Sequence, residues 1–321
     1  MAQTARTVFS LLTLVGVFLL LQLPLPRDIQ LWREIQNFGH VPLFGVLSLA
    51  MLSLSRQLVG NSKTKASKHY LIAFLLTILI GLAVELFQLL GDRDADFYDV
   101  LRDAIGALGF LGFYMSLDRR MLPVWYQRGN VLRKSIQTGS LMLLSISFVP
   151  LLLWTAAYGH RAEAFPQILG FESHWEEKFL RTQDAELSIT WPPVGWPISQ
   201  NTRVGRLILW PSAYPGLTIE EPYPNWTDYT SLKLIIHSEM DQPIEIHLRI
   251  NDRHHTDAYE DRFSRSITLQ PDMNEVHVRL QEVRTAPADR EMDMANIATI
   301  VLFAIQPEQP YIINVDNLRL E

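Results

Sequence analysis

The chain has 321 residues, 34 Asp and Glu against 28 Lys and Arg, a formal net charge of −6, and 48% hydrophobic residues. It contains no cysteine, which excludes disulfides and thiolate chemistry. The acidic balance gives no footing for nucleic acid as a partner.

These averages conceal two different objects. Up to Tyr158, 14 Lys and Arg outnumber 9 Asp and Glu, whereas beyond it 14 face 25. The basic half carries the long apolar runs, and the acidic half lacks them.

A hydrocarbon core about 30 Å thick takes roughly 17–25 apolar residues as helix. Five segments approach that length: Thr7–Leu25, Val41–Leu54, Tyr70–Leu90, Val100–Leu117 and Thr138–Tyr158. The second is short unless Phe38–His40 belongs to it. The first is followed by LQLPLPRD and not by a small-x-small cleavage site, so it reads as an uncleaved anchor.

Orientation follows from the cations. With the N-terminus inside, Arg6, Arg56, Lys63, Lys65, Lys68, Arg119, Arg120, Arg128, Arg133 and Lys134 are cytoplasmic, and only Arg27, Arg33, Arg93 and Arg102 are outside. Five spans deliver everything after Tyr158 to the outer side. Trp154 and Tyr158 suit the outer aromatic belt, and Pro150 is placed to kink the last span.

This topology gathers polar residues at one level. His40 opens the second span from outside, and Glu85 and Gln88 close the third. Arg93 and Asp96 lie in the outer loop, and Asp99, Arg102 and Asp103 open the fourth span. Glu85 and Gln88 share a helical face, as do Asp99, Asp103 and Gly106. Gly106, Gly109 and Gly112 allow that helix to pack closely on a neighbour. A lipid-facing carboxylate costs about 2.5–3.5 kcal/mol, so Glu85 is expected to face inward, with Arg93 or Arg102 as its partner. Each residue also has a plainer reading. Glu85 serves equally as half of a structural ion pair, His40 as an interfacial histidine, and Asp99 and Asp103 as caps favoured by the helix dipole.

The pattern resembles the VanZ-like family of small membrane proteins over roughly residues 10–118. The motifs are NFGHVPLF with His40, ELFQ with Glu85 and Gln88, DRDAD with Arg93 and Asp96, and DVLRDAIG with Asp99 and Gly106. Asp103 departs from the pattern, standing where an Asn is usual. The resemblance implies a bacterial inner-membrane protein of the cell envelope, of the kind linked to teicoplanin sensitivity, and names no reaction.

Beyond 160–170, read as a linker, the period becomes two. AELSITW, GRLILW, LKLIIHS, IEIHLRI, EVHVRL, ATIVLFAI and YIINVDNLRL alternate apolar and polar residues between Pro, Asp, Asn and Gly turns. The expected fold class is thus an α-helical membrane bundle of five transmembrane helices followed by an all-β antiparallel jelly-roll sandwich. By segments, 1–134 is a four-span membrane domain, 135–159 the fifth transmembrane helix, and 171–321 a sandwich outside the cytoplasm, periplasmic or at the cell surface.

The second half is similar to the galactose-binding-like jelly rolls that include many carbohydrate-binding modules. The likeness rests on Trp226–Leu232, the strand ending at Asp252, Tyr259–Phe263 and the terminal VDNLRL. It implies a structural calcium, for which Glu172 and Asp316 are the candidates by analogy, and an aromatic sugar platform. Trp191, Trp196, Trp210, Tyr214, Tyr223 and Trp226 can supply that platform, with Trp191, Trp210 and Trp226 as the ligand-binding candidates, against a plainer role in the core. His254, His255, Asp257 and Asp261 form a polar loop whose near-adjacent spacing favours solvent exposure over metal binding.

Three functions fit. The first is an envelope protein that binds or modulates a glycan or lipid-linked glycan. The second is an outer-leaflet hydrolase or transferase acting on a lipid-linked phosphate sugar. There Glu85 is acid or base, His40 its partner, Arg93 a clamp for phosphate or carboxylate, and Asp99 with Asp103 orient a water or divalent ion; Gln88, Asp96 and Arg102 bind ligand. The third is a scaffold among envelope-assembly proteins. The lipid bilayer is a partner in all three.

Overall fold

The computed structural model describes residues 28–58, 66–88, 97–196 and 203–321, with isolated positions before residue 28. The span expected at Thr7–Leu25 falls outside the described residues apart from those positions, as do Arg93, Asp96 and the side chain of Gln88. The chain divides into two compact units, Met1–Thr155 and Ala156–Glu321.

The first unit is built of α1 (Gln30–Leu58), α2 (Ala66–Gln88), α3 (Phe97–Leu117), α4 (Leu122–Arg128) and most of α5 (Asn130–Ala164). Among the described residues, α1, α2, α3 and α5 are long and apolar enough to cross a membrane. All four are longer than the sequence patterns delimit. In particular, α1 begins at Gln30, so His40 sits within a helix and does not open one. The apolar window of Val41–Leu54 misses the preceding turns because they mix Trp32 and Ile35 with Arg33 and Glu34.

The exposed side of α2 carries Leu71, Leu75, Leu79, Leu82 and Leu86. Their three- and four-residue spacing makes one continuous apolar stripe, the reverse of a water-facing helix. Phe44, Leu47, Ala73 and Leu111 are buried between the helices. Glycines set how close the helices come. A Cβ on Gly106 would meet the Val41 carbonyl oxygen at 2.2 Å, so α3 and α1 touch backbone to backbone. Gly109 and Gly112 instead receive Leu144 and Ser140 of α5. The stripe therefore serves two neighbours, because successive steps of three turn it progressively around the helix.

At the far end of α1, Arg56 and the Tyr70 hydroxyl both donate to Asp118, at 2.5 and 2.8 Å. That cluster is about 24 Å along the helix from His40.

The second unit is an antiparallel β-sandwich. Its strands are β1 (Gln167–Leu169), β2 (Leu180–Gln183), β3 (Ala185–Thr190), β4 (Val204–Leu209), β5 (Gly216–Glu220), β6 (Ser231–Ser238), β7 (Ile244–Asp252), β8 (Phe263–Leu269), β9 (Asp272–Arg279), β10 (Ile297–Phe303) and β11 (Tyr311–Leu320), with the short helix α6 (Leu280–Arg284). One sheet has the order β3-β4-β11-β6-β9, with β1 on β11; the other is β2-β5-β10-β7-β8. All seven alternating sequence runs are strands.

Along β7, Ile244, Ile246, Leu248 and Ile250 point inward, and Glu245, His247 and Arg249 point outward. Inward residues of both sheets close on one core with Trp226 and Leu217 fully enclosed. Each such aliphatic side chain contributes about 1.5–3 kcal/mol by leaving water.

The stretch 160–170 holds ordered structure where the sequence pattern gave only a linker. It contains the end of α5 and β1, which pairs with β11. From Ala156 onward the helix belongs to the sandwich unit. Tyr158 meets the Phe179 ring edge-on at 5.3 Å, Arg161 lies over both rings, and both residues hydrogen-bond Glu221.

Candidate functional site

Asp103 is the point where three helices meet. The close approach at Gly106 and Val41 brings His40 and Asp103 face to face, each within a turn of that contact. His40 Nδ1 lies 2.9 Å from Asp103 Oδ1, and its Nε2 lies 3.7 Å from Asp99 Oδ2. With Asp103 ionised, Nδ1 is the donor of that bond. The second carboxylate oxygen of Asp103 rests against Gly81 of α2, where a Cβ would stand 2.7 Å from it. The imidazole stacks parallel to Phe44, one turn further along α1.

His40 and Asp103 are 3% and 1% exposed, and Glu85 is 7% exposed. Glu85 stands one turn beyond Gly81, within electrostatic range of both. Arg102 pairs with Asp99 at the first turns of α3. The structure thus brings His40, Asp99, Arg102, Asp103 and Glu85 together. Gly81 and Phe44 belong to the same site and carried no sequence signal beyond being a glycine and an aromatic on apolar spans. One imidazole between two carboxylates, shielded from water, can hold or relay a proton.

In the sandwich the predicted tryptophans separate. Trp226 is corrected: it is 0% exposed, and its indole N–H donates to the Tyr223 carbonyl at 2.7 Å, so it packs the core and offers no platform. Trp191 and Trp210 are exposed, but they flank opposite ends of the β3–β4 pair. Trp191 lies beside Arg203, and the Trp210 N–H donates to Asp184 O. A six-residue strand puts about 20 Å between them.

The outward face of the five-stranded sheet has an aromatic patch elsewhere. Phe303 sits in register between Gly216 and His247. It stacks on the His247 ring at 5.2 Å, and Tyr214, 57% exposed, meets it at 6.3 Å. Gly216 is required there, because a Cβ would stand 2.7 Å from that of Phe303. Two and four residues along the same face come Val301 with Thr218, then Thr299 with Asn251. The Thr299 hydroxyl donates to Asn251 Oδ1 at 2.8 Å. The face therefore runs from rings to hydroxyl and amide groups. Its signal in the sequence was an aromatic at an outward position of ATIVLFAI.

Arg290 organises the polar loop after β7. It makes a two-pronged bond to Asp252 at 2.6 and 2.8 Å and reaches Asp261 at 2.6 Å. The bond to Arg290, and then the Thr256 backbone N–H, hold the Asp261 carboxyl at about 2. Asp252 is 1% exposed; burial pushes its pKa up, and Arg290 with the N–H groups of Asp293 and His254 outweighs this, leaving it below the usual value. Among the described residues no three His, Asp or Glu side chains gather as a metal-binding group. Glu172 accepts the Arg203 N–H at 3.3 Å, and Asp316 is buried on β11.

No family model and no curated protein matches the chain. Among solved structures, an exo-β-agarase is similar at 19% identity and TM-score 0.39, over 48% of this chain and 24% of its own. The match therefore spans about a quarter of the agarase. The family 11 carbohydrate-binding module of the cellulosomal cellulase Lic26A-Cel5E of Clostridium thermocellum is similar at 16% identity and TM-score 0.36, over 48% of this chain and 92% of the module. A family 11 module from the same organism, in complex with a β-1,3-1,4-mixed-linked tetrasaccharide, is similar at 16% identity and TM-score 0.34, over 44% and 88%.

Proposed function

We propose that this chain is a membrane-anchored protein of the bacterial envelope whose sandwich binds glycan on the outward face of the five-stranded sheet. The observation that carries this reading is the in-register row of Gly216, Phe303 and His247, capped by Tyr214 and continued by Thr299 and Asn251. A sugar ring offers an apolar C–H face to aromatic rings and hydroxyls at its rim to amide and hydroxyl partners. A flat strand surface carrying both, spaced about 7 Å apart for every second residue, suits that division. The exposed leucine stripe of α2 and the cation bias of the loops support the anchor and the outer placement of the sandwich.

Hydrogen exchange on the full-length protein in detergent, with and without envelope-type oligosaccharides, tests the site. Slowed exchange in β7, β10 and the 210–216 turn is the expected result. Protection confined to other strands contradicts it.

The helical site favours a second reading, in which the chain is an enzyme acting on a lipid-linked phosphate sugar. His40 between Asp103 and Asp99, with Glu85 close by, is suited to proton transfer, and His40, Glu85 and Asp99 are residues of the VanZ-like pattern. Turnover of such a lipid that is unchanged in Glu85→Gln and His40→Gln rejects this reading.

A further inference from the structure

Two guanidinium groups on the same outward face make no ion pair with any carboxylate among the described residues. Arg249 lies two residues from His247 along β7. Its Nε donates to Asn251 Oδ1, and its Nη2 donates to His255 Nε2, both at 3.2 Å. His255 is a neutral acceptor there, because its Nδ1–H is committed to the Asp261 carbonyl at 2.7 Å. Arg262 precedes Phe263, which faces Ile250, so Arg262 falls beside Asn251 on the outward side. Its Nε is buried and has no acceptor, and its guanidinium stands over Tyr259 at 4.8 Å. Burial first, and the neighbouring Arg262 second, hold the Arg249 pKa below its usual value. The carboxylate that partly offsets them, Asp257, has a side chain 98% exposed to water.

This is not for want of acids. The sandwich half holds 25 acidic residues against 14 basic ones. Arg181, Arg206, Arg290 and Arg319 of the same domain are each paired with a carboxylate. Two neighbouring, partly buried cations left without such a partner are costly, and an incoming anion removes that cost.

We propose that this face takes an anionic sugar residue, one bearing a carboxylate, sulfate or phosphate, with the charged group on Arg249 and Arg262 and the ring toward Phe303. The inference rests on the glycan reading above and narrows it to acidic glycans.

Calorimetric titration of the full-length protein in detergent with tetragalacturonate and with its methyl ester tests it, since esterification removes the charge and keeps the sugar rings and their linkage. The acid is expected to bind at least about tenfold more tightly than the ester, with the difference shrinking as salt is raised. Arg249→Gln with Arg262→Gln should bring the acid-to-ester ratio to about one, and the paired Lys variants should keep most of it. Equal affinity of the native protein for acid and ester overturns the charge inference and leaves the glycan reading standing. Binding of neither overturns both. A preference that survives the paired Gln variant overturns the assignment to these two residues.

Discussion

His40 and Asp103 belong to different helices, yet Nδ1 of the first lies 2.9 Å from Oδ1 of the second, with both side chains almost wholly buried. Breaking a buried pair by deleting one partner costs about 3–5 kcal/mol, because the other is left unsatisfied. Asp103→Leu should therefore destabilise the helical unit by that amount in unfolding measurements in detergent. Asp103→Asn keeps an oxygen for the imidazole N–H and should cost only about 1–2 kcal/mol. Equal losses for the two variants contradict a hydrogen bond as the holding interaction.

Gly106 and Gly139 make a matched pair for testing helix contact. A Cβ on Gly106 would stand 2.2 Å from the Val41 carbonyl oxygen, a backbone atom that cannot swing aside. Nothing lies within 4 Å of the corresponding point on Gly139. Gly106→Ala should cost about 2 kcal/mol or more, by forcing apart the helices that present His40 and Asp103. Gly139→Ala should be neutral or raise stability by about 0.5–1 kcal/mol through helix propensity. Melting temperatures of the two variants decide it.

Much of this architecture was legible in the sequence. Long apolar runs reveal α2, α3 and α5, though not their full length, and period two marks seven strands, because burial on one face imposes those spacings. His40, Glu85, Asp99 and Asp103 were legible as one cluster because polar residues on apolar spans are few. The start of α1 was hidden, since mixed residues such as Arg33 and Glu34 continue a helix as well as they end one. The aromatic candidates divide for a different reason. Tryptophan count says nothing about direction, and Trp226 faces inward while Phe303, on an outward position, faces out. The β2 and β8 strands were missed because charged residues interrupt the apolar pattern at an edge: Arg181 faces outward on β2, and Arg265 takes the core-side position of β8 opposite Leu248.

Arg290 ties Asp252 and Asp261 to one guanidinium, and acid should release the tie. Both carboxyls are held below the ordinary value of 3.8, Asp261 at about 2. A depressed carboxyl stabilises the fold fully above its unfolded value and loses that contribution as the pH falls through its folded value. The sandwich should accordingly lose stability from about pH 4 downward to about pH 2. Arg290→Met should flatten that dependence and cost about 2–4 kcal/mol at pH 7, because Asp252 remains buried without its partner. Denaturant unfolding followed from pH 7 to pH 2 measures both effects. An unchanged acid profile in the variant contradicts the assigned network.

We propose that the outward face of the five-stranded sheet reads glycan through Phe303 and Tyr214. Calorimetric titration of the full-length protein and of a Phe303→Ala, Tyr214→Ala variant with the same envelope oligosaccharides tests it most directly. Binding by the native protein is expected, with a loss of about tenfold or more in the variant and a melting temperature little changed because both rings lie outside the core. Equal affinity in the two proteins would contradict it.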